Sequence, residues 1–358
     1  MAKKVLLILS LMTVCYVGAA RAQDSSGEVV RVSTKVVFID TVVRDKSTGL
    51  PVTDLTRDDF QVFDNGKRRA LTYFGHEGDR RRPLALLLFF NLDPEFGGAF
   101  RYLTRPEAQA SLVTALSKLA PEDEVSVLAV NHFLGDKPVT FTDLTKERQK
   151  IAEAIAAAIN SAKDSVTEKS ARKDRRPKES MSKTIDEAVR IAALERPSSQ
   201  VALVYVSDGI NTGDMFFADK RRAAGEKLIR NNVNFSAINF SKLKSTSVAL
   251  GIVYPLAKIR GASLTGGGEY LAKESGGIKV EVEKAEEFGA GLERITSSFA
   301  SRYNLGFSLD ENDDDDGRMH KLEVKIVTQG TRYKGRKLVV SARRGYYAPK
   351  MKAAPAIK

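Results

Sequence analysis

Residues 84–90, with the sequence LALLLFF, are the feature that most limits how this chain can fold. A strand made of this run has no polar face, so it belongs in the middle of a sheet that is covered on both sides. Sheets of that kind are mostly parallel, and the crossover connections that join their strands are usually helices. The run therefore predicts an α/β domain with a buried central sheet.

The residues after this run alternate between helical and strand patterns. Apolar residues recur at helical spacing in several stretches, for example at Leu112, Leu116 and Leu119. Gly276 and Gly277 follow one such stretch, where a left-handed residue commonly ends a helix. The alternation predicts a doubly wound, mainly parallel α/β domain. The domain spans residues 81–300, with strands at 84–90, 125–130, 201–206, 233–240 and 278–282 and a helix at 215–230.

The part of the chain before this domain has the period of two that is typical of strands. Residues 29–74 alternate short apolar and polar positions, with turn residues between them. Asn65-Gly66 suits the positive φ angles of a tight hairpin turn. We therefore expect a hairpin between strands 60–63 and 70–74.

The same period returns after the domain, from Tyr303 and Leu305 onward. Short strands at either end of the chain bury too little apolar surface to form a core separately. We therefore expect residues 23–80 and 301–348 to form one small β-sandwich, in which the α/β domain is an insertion. Residues 349–358 follow as a tail.

The first 22 residues are typical of a secretory signal peptide. Lys3 and Lys4 precede an apolar run over residues 5–17, and Ala20 and Ala22 supply small residues for cleavage. We expect export to the periplasm or the outside, with cleavage after Ala22. No later segment is long and apolar enough for a transmembrane helix.

Cys15, the only cysteine, lies inside that apolar run. Its position raises a lipoprotein signal as an alternative, in which the cysteine becomes the acylated first residue, but residues 12–14 fit such a signal poorly. Cleavage after Ala22 leaves a chain without cysteine. Disulfides, thiol catalysis and cysteine-bound metals are then excluded.

The chain has a formal net charge of +12, and the excess stays positive after the leader is removed. A positive excess favours anionic partners, although it also serves solubility. Export argues against nucleic acid, which leaves an unknown envelope protein, an acidic polysaccharide or another anionic envelope surface as candidate partners.

Basic residues are dense in segment 163–180, which has few apolar residues and is predicted to be a flexible loop.

Several motifs together resemble a known family. Tyr205-Val206-Ser207-Asp208-Gly209 ends a central predicted strand, and Glu274-Ser275-Gly276-Gly277 ends a helix. With the apolar first strand, they resemble the von Willebrand factor type A superfamily. Residues 52–60 (VTDLTRDDF), 62–66 (VFDNG) and 344–346 (RGY) are similar to flanking motifs of its secreted acidobacterial branch. The resemblance covers about residues 28–348.

The resemblance implies a ligand site at the carboxyl ends of the strands, where open α/β sheets commonly bind ligands. In that family the site holds a metal ion, and its first element is Asp-x-Ser-x-Ser. The matching stretch here is Asn91-Leu92-Asp93-Pro94-Glu95, so both serines are absent and asparagine replaces the leading aspartate. This change predicts a degenerate site.

The other two elements of the site differ in how well they match. The family has a threonine before a helix, and the best alignment puts Lys183, next to Ser182, at that position. The third element, Asp208, is retained. The resemblance therefore assigns to the site Asn91, Asp93, Glu95, Ser182, Lys183 and Asp208.

A divalent cation needs several oxygen ligands, which Asp93, Glu95 and Asp208 have. A lysine ammonium in the same pocket, from Lys183, would repel the ion and neutralise the carboxylates. We expect a metal-free site without a cofactor. Mg or Ca binding, as in a divalent-cation-dependent adhesin, is the alternative, and exposed loop residues without a role are the third interpretation.

A second acidic pattern has the spacing of a calcium loop, except that its first position is asparagine. It consists of Asn312, Asp314, Asp316 and Glu323. The flanking residues alternate as strands, whereas this kind of calcium loop needs helices. An acidic hairpin turn is therefore favoured over structural calcium.

Enzyme motifs are missing from the sequence. His76, His132 and His320 are scattered, and there is no nucleophile elbow or phosphate-binding loop. An envelope hydrolase that uses the clustered carboxylates for acid–base chemistry is the enzymatic alternative. We expect instead a non-enzymatic module of the bacterial envelope that binds a protein or a surface.

Overall fold

The computed structural model describes most, but not all, of the chain. The predicted signal peptide, the tail, most of the basic segment 163–180, and Asn312, Asp314 and Asp316 lie outside the described residues. No helix in the described part is long and apolar enough to cross a membrane. The residues described are 35–76, 81–92, 98–130, 138–167, 180–209, 211, 213–240, 263, 265–309, 317–327, 333 and 335–348.

A six-stranded sheet forms the centre of the α/β part. Its strands, in spatial order, are β10 (Lys279–Val282), β9 (Asn234–Phe240), β8 (Gln200–Ser207), β5 (Leu84–Asn91), β6 (Glu124–Val130) and β7 (Val139–Thr145). Neighbouring strands are parallel, except that β7 at the edge is antiparallel to β6. All eight residues of β5 are buried, as the apolar run predicts.

Helices cover both faces of this sheet. Leu86 and Leu88 of β5 pack with the helices of one face, and Leu87 and Phe89 with those of the other. Full burial of each such side chain contributes about 1.5–3 kcal/mol. The predicted mainly parallel α/β fold is therefore observed. One face has α1 (Gly98–Leu103), α2 (Pro106–Ser117), α3 (Arg148–Thr167) and α7 (Glu287–Ala300); the other has α4 (Ser180–Arg190), α5 (Ala218–Arg230) and α6 (Gly267–Ser275).

Two four-stranded sheets take strands from both ends of the chain. One apolar cluster includes residues of both sheets, among them Ile39, Val62 and Phe307. The first sheet, in spatial order, has β13 (Leu338–Ala342), β1 (Val36–Asp45), β11 (Tyr303–Ser308) and β4 (Tyr73–His76). The second has β14 (Gly345–Tyr347), β12 (Met319–Ile326), β2 (Phe60–Asp64) and β3 (Lys67–Arg69).

The predicted hairpin turn is confirmed, but its second strand is not the predicted one. Asn65 and Gly66 have φ angles of 48° and 82°. The strand after the turn is β3, which ends at Arg69, and the predicted arm 70–74 is wrong. The chain crosses to the first sheet instead, where Phe74 pairs with Leu305 of β11 and packs against the apolar cluster.

Three other elements differ from the expectations. Strand β7 was not predicted, because its residues are half-buried or exposed at the sheet edge and lack an apolar run. The helix expected over 215–230 is divided into a 3-10 turn at Gly213–Phe216 and α5. Helix α3 continues to Thr167, five residues into the segment predicted to be flexible.

Candidate functional site

The two central strands, β5 and β8, are parallel neighbours, so their carboxyl ends lie side by side. The chain leaves these two ends in opposite directions along the sheet. The chain continues from β5 to its neighbour β6 on one side, and from β8 to β9 on the other. Such a switch point leaves a crevice between the loops. Asn91 is the last residue of β5, and Asp208 follows the last residue of β8. We call these strand ends, together with Asn211, Asp214 and the start of α4, the carboxyl edge.

A hydrogen bond joins the two central strands at this edge. Phe89 lies opposite Tyr205, so Asn91, two residues further along β5, projects from the same face. The Asn91 Nδ2 donates to the Tyr205 hydroxyl at 3.1 Å, and both side chains are buried. Burial, and next the Asp208 carboxylate, raise the pKa of Tyr205 far above its usual value. The hydroxyl therefore keeps its proton.

Asp214 is a buried carboxylate at the same edge. The 3-10 turn Gly213–Phe216 holds it beside α4, where the Ser182 backbone N–H donates to its Oδ2 at 2.7 Å. Its Oδ1 has no hydrogen-bond partner in the described part of the protein. Burial raises the pKa of Asp214, against the opposing effect of the bonds from Ser182. Burial therefore makes the charged form of this carboxyl group less favourable than that of an exposed aspartate.

Asn211 ties the loop after β8 to the start of α6. Its Nδ2 donates to the carbonyl oxygens of Ser263 and Thr265 at 2.8 and 3.1 Å. Its Oδ1 accepts from the Gly267 N–H at 2.8 Å. A Cβ at position 267 would lie 2.4 Å from that oxygen, so glycine is required there. Asn211 therefore fixes the shape of the edge.

The structure brings several of the predicted site residues to this edge. Asn91 and Asp208 both lie near Tyr205, and Ser182 contacts Asp214. Lys183 is exposed on the first turn of α4, whereas Thr184, the next residue, is fully buried.

The remaining predicted residues are not part of the described edge. Asp93 and Glu95 lie outside the described residues. Glu323, the last position of the possible calcium loop, lies on β12 in the second four-stranded sheet. It forms a 3.1 Å ion pair with Lys325, and both side chains are more than half exposed.

Sequence reasoning missed Tyr205, Asn211 and Asp214. Tyr205 carried a usable signal, since it has the one aromatic hydroxyl in an otherwise apolar run, three residues before Asp208. For Asp214 there was none, because its burial depends on α4, which comes earlier in the chain and packs against the 3-10 turn.

The described residues of the edge do not form a ligand set for a divalent cation. Within the described ranges, no three His, Cys, Asp or Glu side chains are grouped so that they could hold a metal. Asn91 turns an amide N–H towards Tyr205, and Asp214 accepts from a backbone N–H. Mg and Ca need several oxygen ligands. Of the three expected oxygen donors, Asp93, Glu95 and Asp208, the described edge has Asp208.

No protein-family model and no curated protein sequence matches the chain. The solved structures that match the chain include a von Willebrand factor type A protein from Catenulispora acidiphila, with 10% identity, 80% of this chain and 73% of that chain covered, and a TM-score of 0.40. Another is the manganese-loaded TRAP protein of Plasmodium vivax, with 10% identity, coverage of 77% and 98%, and a TM-score of 0.39. BatB from Bacteroides thetaiotaomicron has 13% identity, coverage of 61% and 98%, and a TM-score of 0.38. Similarities this low assign no family, ligand or activity to this chain.

Proposed function

We propose that the chain is a non-enzymatic binding module of the bacterial envelope, with a von Willebrand factor A-like domain that binds its partner at the carboxyl edge without a metal. The observation that carries the proposal is the hydrogen bond between Asn91 and Tyr205. It puts a neutral donor–acceptor pair at the switch point of the sheet, where the resembling family has an aspartate. An amide at this position gives a metal no carboxylate oxygen, which supports binding without a metal.

The proposal extends to the rest of the chain. The two four-stranded sheets form a β-sandwich that serves as the base of the module, and the leader directs export to the periplasm or the outside. Close contacts between α6 and the C-terminal strands support this arrangement: the Arg344 N–H donates to the Glu274 carbonyl at 3.0 Å, and Ser275 forms a β-bridge with Arg343. Backbone hydrogen bonds therefore join the base to the binding domain.

The described chemistry of the edge supports binding over catalysis. A hydrolytic site needs a nucleophile or a base that the substrate can reach. Tyr205 and Asp214 are 8% and 7% exposed, and burial favours the protonated form of both. Among the described residues of the edge there is no histidine. Lys183, the residue after the Ser182 that contacts Asp214, is exposed and gives the edge a positive charge.

Site-specific photo-crosslinking tests the proposal. Phe217 lies next to the edge, at the start of α5, and is 46% exposed. Leu194 lies at the opposite edge, where the chain approaches β8, and is 75% exposed. A photoreactive p-benzoylphenylalanine replaces each in turn, and the two proteins are irradiated with an envelope preparation from the host bacterium, in EDTA.

We expect one discrete crosslinked partner from position 217 and none from position 194. Asp208→Ala in the position-217 protein should abolish the product, because it removes a charged side chain of the same edge. The same product from both positions, or a product that persists with Asp208→Ala, would contradict binding at the carboxyl edge.

A further inference from the structure

A second candidate site lies in the β-strand part of the chain, along the connection between β3 and β4. It is a groove of about 590 Å³. Arg57, Arg68 and Arg69 line it, with Phe60 and Leu71 as apolar neighbours and Asp58 as the one carboxylate of the lining. We call it the arginine groove. Even with Arg69 paired to Asp64, Arg57 and Arg68 against Asp58 leave an excess of positive charge.

The three arginines differ in how they are engaged. Arg69 is fixed by Asp64, to which its Nε and Nη2 donate at 3.1 and 2.9 Å. Arg57 donates through Nη2 to the Leu71 carbonyl oxygen. Among the residues that the structure describes, neither Arg57 nor Arg68 has a carboxylate within ion-pair distance. These two guanidinium groups therefore keep donors for an external anion.

Protection of a sheet edge explains the presence of one of these two arginines but not of the other. Strand β3 is the edge of its sheet and has three residues, and a short basic edge strand resists pairing with other chains. That role accounts for Arg68. It does not account for Arg57, which comes from the separate 3-10 turn Arg57–Asp59 and lines the same groove.

An exposed aromatic pair, Phe38 and Tyr73, includes a residue that follows the groove residues in the chain. Tyr73, two residues after Leu71, packs edge-to-face on Phe38, with ring centroids 5.3 Å apart. The two side chains are 47% and 51% exposed. They flank Gly306, which pairs with both residues across the strands, and a Cβ there would lie 2.9 Å from the Tyr73 Cβ. The glycine therefore lets both rings lie over the strand while staying half open to water.

Hydroxyl groups adjoin the aromatic pair. The Ser308 Oγ donates to the Thr72 Oγ1 at 3.2 Å, and both side chains are on the surface of the first four-stranded sheet. Each hydroxyl retains capacity for a further hydrogen bond, because a hydroxyl has one donor and two acceptor positions. The segment from Arg68 to Tyr73 thus carries cations, hydroxyls and an aromatic ring in succession.

We propose that the arginine groove and the aromatic pair bind an acidic polysaccharide. Guanidinium groups bind carboxylate or sulfate with two parallel hydrogen bonds, which Arg57 and Arg68 can supply. Aromatic rings pack against the C–H face of a sugar, and hydroxyls bond its polar rim. The charge of the whole chain, +12, favours the approach of such a polymer. This site is separate from the carboxyl edge and does not depend on it.

Affinity electrophoresis and titration calorimetry test this with the full chain. Polygalacturonate is the probe, with neutral dextran as the uncharged sugar polymer and polyglutamate as the acidic polypeptide. Three variants are compared with the parent: Arg57→Gln/Arg68→Gln, Phe38→Ala/Tyr73→Ala, and Lys220→Gln/Arg222→Gln. The last is the matched control, because it removes two exposed cations from α5.

The parent should bind polygalacturonate and not dextran. Loss of both arginines should weaken binding about tenfold or more, and loss of both rings should weaken it several-fold. The α5 control should change it less than about twofold, as expected for screened surface charges. Circular dichroism melting checks that each variant is folded.

Three results would overturn the proposal. The first is a parent that does not bind polygalacturonate. The second is an arginine variant that binds like the α5 control, since net charge alone would then explain the affinity. The third is a parent that binds polyglutamate as tightly as polygalacturonate, together with a Phe38→Ala/Tyr73→Ala variant whose affinity is unchanged. That result would assign the site to acidic polypeptides.

Discussion

The Asn91 amide and the Tyr205 hydroxyl form a 3.1 Å hydrogen bond between neighbouring parallel strands, at the switch point of the central sheet. Both groups are buried, so water does not replace the bond when it is lost. The bond gives the edge a fixed neutral centre, with Asp208 and Asp214 near it.

Removing the hydroxyl of Tyr205 tests how much this bond contributes. Tyr205→Phe should lower the free energy of unfolding by about 1–3 kcal/mol, because the buried Asn91 Nδ2 loses this acceptor. Tyr270→Phe is the matched control, since the half-buried Tyr270 hydroxyl makes no hydrogen bond in the described part of the chain. It should change stability by less than about 0.5 kcal/mol in urea unfolding. Equal losses in the two variants would contradict a role for the bond.

The raised pKa of Asp214 should make the free energy of unfolding depend on pH. Its pKa is raised by burial in the folded protein. Between the pKa of an unfolded aspartate, about 3.9, and the raised pKa, the folded state holds more protons. The free energy of unfolding contributed by this group is therefore greatest below that window and falls as the pH rises through it.

Asp214→Asn should remove this fall. The variant should match the parent at low pH and exceed its free energy of unfolding by up to about 1 kcal/mol above the window, because no buried charge forms. Asp219→Asn, in the exposed first turn of α5, is the control. Urea unfolding at several pH values measures all three proteins. A variant that runs parallel to the parent at every pH would rule out a raised pKa.

The sequence was sufficient for the parts of the fold that depend on local patterns. The apolar run of β5 predicted a central strand, and Gly276, with φ of 80°, ends α6 as expected. The second hairpin arm was wrong, because residues 67–69 are all charged and lack the apolar alternation of a strand. In the structure Arg69 lies opposite the buried Val62, and Asp64 neutralises its charge. Only the tertiary partner makes that position favourable for a strand.

Two glycines with the same backbone conformation give a second stability prediction. Gly276 and Gly66 have φ of 80° and 82°, so alanine is strained at both. At position 276 a Cβ would also lie 2.6 Å from the Arg343 nitrogen, whereas nothing lies within 4 Å at position 66.

Gly66→Ala should lower the free energy of unfolding by about 1–2 kcal/mol, the cost of the left-handed conformation. Gly276→Ala should lower it by at least about 2 kcal/mol more, because the backbone next to β13 must move. Urea unfolding compares the two variants. Equal losses would show that α6 does not pack closely against the C-terminal strands.

The charge of Lys183 should decide whether added magnesium stabilises the carboxyl edge. Lys183→Ala should lower stability by no more than about 1 kcal/mol, since the side chain is exposed. Loss of its charge leaves the edge more negative, so the variant should gain a rise in melting temperature with magnesium that the parent lacks. Lys220→Ala on α5 is the control and should gain none. A magnesium response that is the same in all three proteins would contradict a role for Lys183.

Of the candidate site, only the residues at the strand ends could be predicted from the sequence. Asn91 and Asp208 follow apolar runs, so each could be placed at a strand end from the sequence. The bond between Asn91 and Tyr205 depends on the register of β5 against β8, which sets Phe89 opposite Tyr205. Because 114 positions separate the two bonded residues, no local pattern carries that register.

The melting temperature of the purified chain in millimolar magnesium, calcium or EDTA tests the metal-free edge most directly. A site with a dissociation constant a thousandfold below the added metal would raise the free energy of unfolding by about 4 kcal/mol, which shifts the melting temperature by several degrees. We predict the same melting temperature in all three solutions. A rise of several degrees with magnesium or calcium that EDTA reverses would contradict the account and restore metal-dependent binding.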